Sequence, residues 1–152
     1  MLHALSDREL DSYYSGDKRY LGTFAKDVIP VKLAKKNGAF IINMNNSNQG
    51  GSHWIALILN KDNTLYFDSF GVVPSEEVLA FMKKRKKPMY YVDRQLQHLK
   101  SSSCGWFCVH FINECIIKGR HILDVLLQDF SHNVSENERL LQSYFNNVPS
   151  RE

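Results

Sequence analysis

Apolar positions along this chain come in short runs set apart by turn residues, and their period changes from run to run. Ser6-x-x-Glu9 is a capping box, which predicts a short helix from about Asp7 to Tyr14. "YLGTFAKDVIP" is predicted as a loop, punctuated by Gly22 and Pro30. "AFIINMN", "HWIALILN" and "TLYFDSF" predict three strands, joined by the flexible "SNQGGS" and the turn "KDN". Gly71 and Pro74 end the third. "PSEEVLAFMKKRKK" predicts an amphipathic helix capped by Ser75, and "PMYYVD" a fourth strand. From Cys104 to about Lys118, Trp106, Phe107, Val109, Phe111, Ile112 and Ile116 cover nearly the whole helix circumference, the pattern of a central buried helix. Two more helices are predicted, near Ile122 to Phe130 and from a second capping box, Ser135-x-x-Glu138, to about Asn146. Strands clustered between helices, with hairpin connections, predict an α+β fold.

The length, 152 residues, suits a single domain over residues 1–152 with a real core. A content of 43% hydrophobic and 23% charged residues excludes a disordered chain. No apolar run approaches the ~20 residues that cross a bilayer. "MLHALSDREL" lacks the pattern of a secretory signal, so an intracellular or virion interior is expected. Cys104, Cys108 and Cys115 lie in one short segment, and an odd count there argues against a disulfide framework. No Cys-x-x-Cys knuckle is present, so no metal is expected. Net charge is only +3, but the cations are clumped: Lys83, Lys84, Arg85, Lys86 and Lys87 are consecutive, and Lys32, Lys35 and Lys36 form a second cluster. Such runs bind polyanions by counterion release, or simply solvate a helix end.

The chemistry centres on Cys104, where a polar stretch meets the apolar helix. A thiol in the first helical turn sees the positive end of the macrodipole, which favours thiolate. Gly105 after it leaves room for a substrate backbone. Cys108 and Cys115, inside the helix, read as packed thiols. Of six histidines, His53 follows the flexible turn and opens an apolar strand, so it is fixed yet reachable. His110 reads as a core or rim residue. An imidazole base works best against a carboxylate, and the next strand supplies Asp68. A two- or four-residue hairpin loop would put Asp68 on the face of His53, and a three-residue loop on the other. An oxyanion would need the Cys104 N–H and a second donor, for which Gln95 and Gln97 both qualify.

The order His53, Asp68, Gln97, Cys104 resembles the adenovirus endopeptidases and, more broadly, the ubiquitin-like-protein proteases. The blocks that carry it are "RYLGTF", "GGSHWIAL", "YFDSFG" and "QHLKSSSCGWFC". The resemblance selects Gln97 over Gln95, because it lies seven residues before Cys104. It implies a papain-like fold, with a mixed sheet packed on the helix that starts at the nucleophile. In the implied roles Cys104 attacks the scissile carbonyl, His53 is base then acid, and Asp68 orients His53. Gln97 and the Cys104 N–H hold the oxyanion, Trp54 shields the histidine, and Gly51 and Gly105 border the substrate path. The expected function is a monomeric cysteine endopeptidase that matures viral capsid or core precursors by cutting after small residues, glycine especially. The alternatives are an isopeptidase acting on a ubiquitin-like modifier, and an inactive DNA-binding domain on the same scaffold. The resemblance also implies double-stranded DNA as cofactor, through Lys83 to Lys87. An activating peptide linked by a disulfide is not expected, because no cysteine precedes Cys104. The acid is aspartate where the adenovirus enzymes carry glutamate, and the chain is shorter after the central helix.

Overall fold

The computed structural model of the protein describes residues 2–45 and 53–145. Helix α1 spans Asp7–Tyr13 and is followed by strand β1, Tyr20–Ala25, and a 3-10 turn, Val31–Lys35. Strands β2 (Gly38–Asn43), β3 (Trp54–Leu59) and β4 (Thr64–Phe67) come next, then helix α2 (Glu76–Lys84) and strand β5 (Met89–Tyr91). Helix α3 runs Cys104–Ile112 and continues as a π turn, Asn113–Ile117, before α4 (Ile122–Asp129) and α5 (Val134–Tyr144). The sheet order is β1-β2-β3-β4-β5, with β2, β3 and β4 antiparallel and each outer strand parallel to its neighbour. This is the expected α+β architecture, a mixed sheet on a buried helix.

The unbroken apolar runs of β2 and β3 arise because both faces of the sheet are covered. Ala39, Ile41, Ala56, Ile58 and Phe67 point to α3, and Phe40, Ile42, Ile55, Leu57 and Tyr66 point to α2 through Val78, Phe81 and Met82. All nine residues of α3 are buried, as its apolar circumference predicts.

Two local expectations change. Tyr20–Ala25 is a strand, not a loop; Gly22 (φ 129°) and a register shift between Tyr20 and Thr23 hide its alternation. Gly38 explains how β1 enters beside β2: at φ 139°, a Cβ there would lie 2.4 Å from the Arg19 carbonyl oxygen. The last helix begins earlier than predicted, because Asn133 is its N-cap, accepting from the N–H groups of Ser135 and Glu136.

Arg85 corrects the expectation that all five clustered cations face solvent. It is buried, and its guanidinium donates to the carbonyls of Ala34, Lys36, Asn60 and Asn63 and to Thr64 Oγ1. The end of α2 is thereby stitched to the 3-10 turn and to the β3–β4 turn. A buried charge persists only when its donors are met, and here carbonyl oxygens meet them.

Candidate active site

The hairpin register sets the acid. Ala56 pairs with Phe67 and Leu59 with Thr64, leaving the four residues Asn60 to Asn63 as the loop. Continued one step, that register carries Asp68 to the face of His53, as a four-residue loop requires. His53 Nε2 and Asp68 Oδ1 are 2.9 Å apart. Asp68 is 4% exposed, and the same oxygen accepts the Phe70 N–H at 2.9 Å. The Phe70 ring stacks on the imidazole with centroids 4.8 Å apart.

With Nε2 turned to Asp68, Nδ1 is the ring nitrogen left for the thiol. His53 hydrogen-bonds the Cys104 side chain as well as Asp68. Burial disfavours the imidazolium, but the bonds and charges of Asp68 and Cys104 outweigh burial and lift His53 from its ordinary 6.5 to about 9. The sign follows from linkage: a raised pKa stabilises the fold fully below pH 6.5, and that contribution fades as pH climbs through about 9.

Cys104 is the first residue of α3, whose opening turn has no side-chain cap. Its sulfur accepts the Trp54 N–H at 3.4 Å, and Cys108 Sγ donates to the Trp54 carbonyl at 3.5 Å. One residue of β3 thus holds two sulfurs of α3. Cys108 is fully buried and its thiol is pushed well up by burial; Cys115 is pushed up to about 12 for the same reason. Both are inert packed thiols.

Gln97 is fully buried, unlike Gln95. Its Oε1 accepts from Ser69 Oγ at 2.5 Å, and its Nε2 donates to the Ser101 carbonyl at 2.9 Å. The Ser69 carbonyl accepts the N–H groups of Leu96 and Gln97. The loop after β4 is therefore tied to the approach to Cys104. Ser69 and Phe70 went unnoticed in the sequence although both lie in "YFDSFG", because each serves the site only by supporting a neighbour.

Trp54 is buried beside His53, with its indole N–H on the Leu5 carbonyl. The space beside Gly105 is filled by Leu5 and Trp54, which corrects the expectation that it lies open to substrate. Gly51 lies outside the described residues. His110 is a buried rim residue, as expected: it meets Asp129 at 2.8 Å, and burial lowers its pKa. With Glu114 it lines a cavity of about 610 Å³. His110, Glu114 and Asp129 converge closely enough to ligate a metal, but Arg120 bridges both carboxylates at 2.7 Å and Lys118 holds Glu114 at 2.8 Å. The cluster is an ion-pair network joining α3 to α4.

No protein-family model matches this chain, and no curated protein does. Solved structures do. Two crystal structures of the ASFV pS273R protease superpose with TM-scores of 0.56 and 0.54, at 13% and 15% identity, over 90% and 75% of this chain. The likeness is one of fold: those proteases share the mixed sheet packed on a buried helix. This chain spans 62% and 45% of those two chains.

Proposed function

We propose that the protein is a cysteine endopeptidase acting on a protein chain after a small residue, with viral capsid or core precursors as substrates. The observation that carries this reading is the line Asp68–His53–Cys104, ending at a sulfur in the first turn of a buried helix. Cys104 thiolate attacks the scissile carbonyl carbon, whose oxygen takes up the negative charge. The Cys104 N–H and the Gln97 amide receive that oxyanion. His53 gives its proton to the leaving amine as the C–N bond breaks, leaving an acyl-enzyme. It then takes a proton from water, which hydrolyses the thioester and returns Cys104.

Peptide libraries test this reading: cuts after glycine or alanine, lost on alkylation of Cys104, are expected. Release of a Gly-Gly tail from a lysine side chain, with linear peptides left whole, would make the enzyme an isopeptidase instead. Gln97→Ala should lower kcat on the order of a hundredfold with little change in KM, as loss of one oxyanion donor does. An effect confined to KM would place Gln97 in the substrate groove.

DNA as cofactor is part of the same proposal, with a changed set of residues. Lys83, Lys84 and Lys86 are exposed and Lys87 half-buried, and Arg85 draws them beside exposed Lys35, Lys36 and Lys61 at the sheet end away from His53. Replacing Lys83 and Lys84 by glutamine should weaken salt-sensitive retention of double-stranded DNA, with only a small change in Tm. Arg85→Met should instead cost on the order of 3 kcal/mol in stability, because several buried carbonyls lose their donor. Equal effects of the two changes on Tm would contradict this division of roles.

A further inference from the structure

We propose that Leu2–Ser6, a segment outside the catalytic line, is a positioning element that clamps β3 to α3 and so sets the distance between base and nucleophile. The inference rests on reading Cys104 and His53 as a reacting pair. Each of the two elements contributes one indole to the clamp. Trp54 of β3 donates Nε1–H to the Leu5 carbonyl at 2.9 Å, and Trp106 of α3 donates its own to the His3 carbonyl at 2.7 Å. The two acceptors are two residues apart, no more than about 7 Å of chain. The His3 ring also meets Trp106 edge-on, with centroids 5.7 Å apart.

Between the indoles the Leu5 side chain is buried against the first turn of α3. A Cβ on Gly105 would lie 3.1 Å from Leu5 Cβ and 3.4 Å from Trp54 Cδ1, so Leu5, Trp54 and Gly105 are at contact. The segment is held at its far end as well. Ser6 caps α1, Glu9 returns a bond to the Ser6 N–H at 3.1 Å, and the same carboxylate holds His3 at 2.6 Å.

Trp54 makes this a matter of catalysis and not only of packing. Its N–H is the donor on Cys104 Sγ, and the preceding residue is His53. Fixing the indole fixes the peptide that holds the sulfur. Misplacing a reacting atom by about 1 Å can cost on the order of a hundredfold in rate.

The test reads Cys104 itself with iodoacetamide, a reagent too small to need a substrate groove. The rate at about pH 6 is divided by the rate at about pH 9, since only a paired thiolate reacts at the lower pH. The intact chain is compared with His53→Ala, Leu5→Ala, Leu5→Met, Gly105→Ala and the Leu5→Ala/Gly105→Ala double variant, each confirmed folded by its melting curve. Leu5→Ala and Gly105→Ala should each lower the ratio on the order of tenfold. Leu5→Met, which refills the space, should keep the wild-type ratio. The double variant should be no worse than the worse single, because both changes release the same clamp. Lower melting temperatures with an unchanged ratio would reduce the segment to a packing role and overturn the proposal. Multiplying effects in the double variant would overturn it too, by showing that the Gly105 methyl acts on Cys104 directly. A wild type whose ratio already equals that of His53→Ala would remove the Cys–His pair, and the positioning role with it.

Discussion

Cys104→Ala is expected to abolish peptide cleavage, with a loss on the order of a millionfold, while the protein stays folded. The size follows from the role: no other described thiol can replace it. Cys108 and Cys115 are held protonated by burial, and Cys108 is tied to the Trp54 carbonyl. The fold should tolerate the change, because a small buried thiol gives way to a methyl group at a helix start, at a cost of about 1 kcal/mol. Measured turnover with peptide, beside a melting curve, checks both halves. Retained turnover in Cys104→Ala would remove the proposed mechanism altogether.

Asp68→Asn is expected to have the next largest effect, on the order of a ten-thousandfold loss in kcat, the scale seen when such a carboxylate becomes an amide and supports the wrong tautomer. It should also change the shape of the pH profile. In the wild type His53 titrates at about 9, held there by Asp68 and Cys104 against burial. Cleavage needs the His53 proton for the leaving amine, so the alkaline limb should fall through about pH 9. Without the Asp68 charge, burial has less opposing it, and the limb should move to lower pH. The stability that protonated His53 contributes below pH 6.5 should shrink in the same variant. An unchanged rate and an unmoved limb would mean that another group carries the role assigned to Asp68.

What could be read from the sequence depended on whether side chains or backbone did the work. The strands β2, β3 and β4 were legible because two covered faces demand apolar runs, and their ends are marked by turns. The four-residue loop was the one uncertainty in placing Asp68, and the register resolved it. Strand β1 was hidden because every residue in it is half-buried and its register is irregular. Arg85 was illegible among four lysines, since nothing in a charge run says which member turns inward. The role proposed for Leu5 was illegible for another reason: the group that accepts the Trp54 indole N–H is its backbone carbonyl oxygen, which any residue at that position would offer. The site residues stood out because their chemistry is carried by side-chain type in a fixed order.

The central claim is that Cys104 and His53 form one reacting pair, and alkylation of Cys104 by iodoacetamide across pH tests it most directly. The rate in the wild type should hold up far below the ~8.5 at which a free thiol loses its proton, and should drop to that of an ordinary thiol in His53→Ala. A wild type that reacts like an ordinary thiol, with no change on removing His53, would contradict the account and leave the inactive scaffold as its reading.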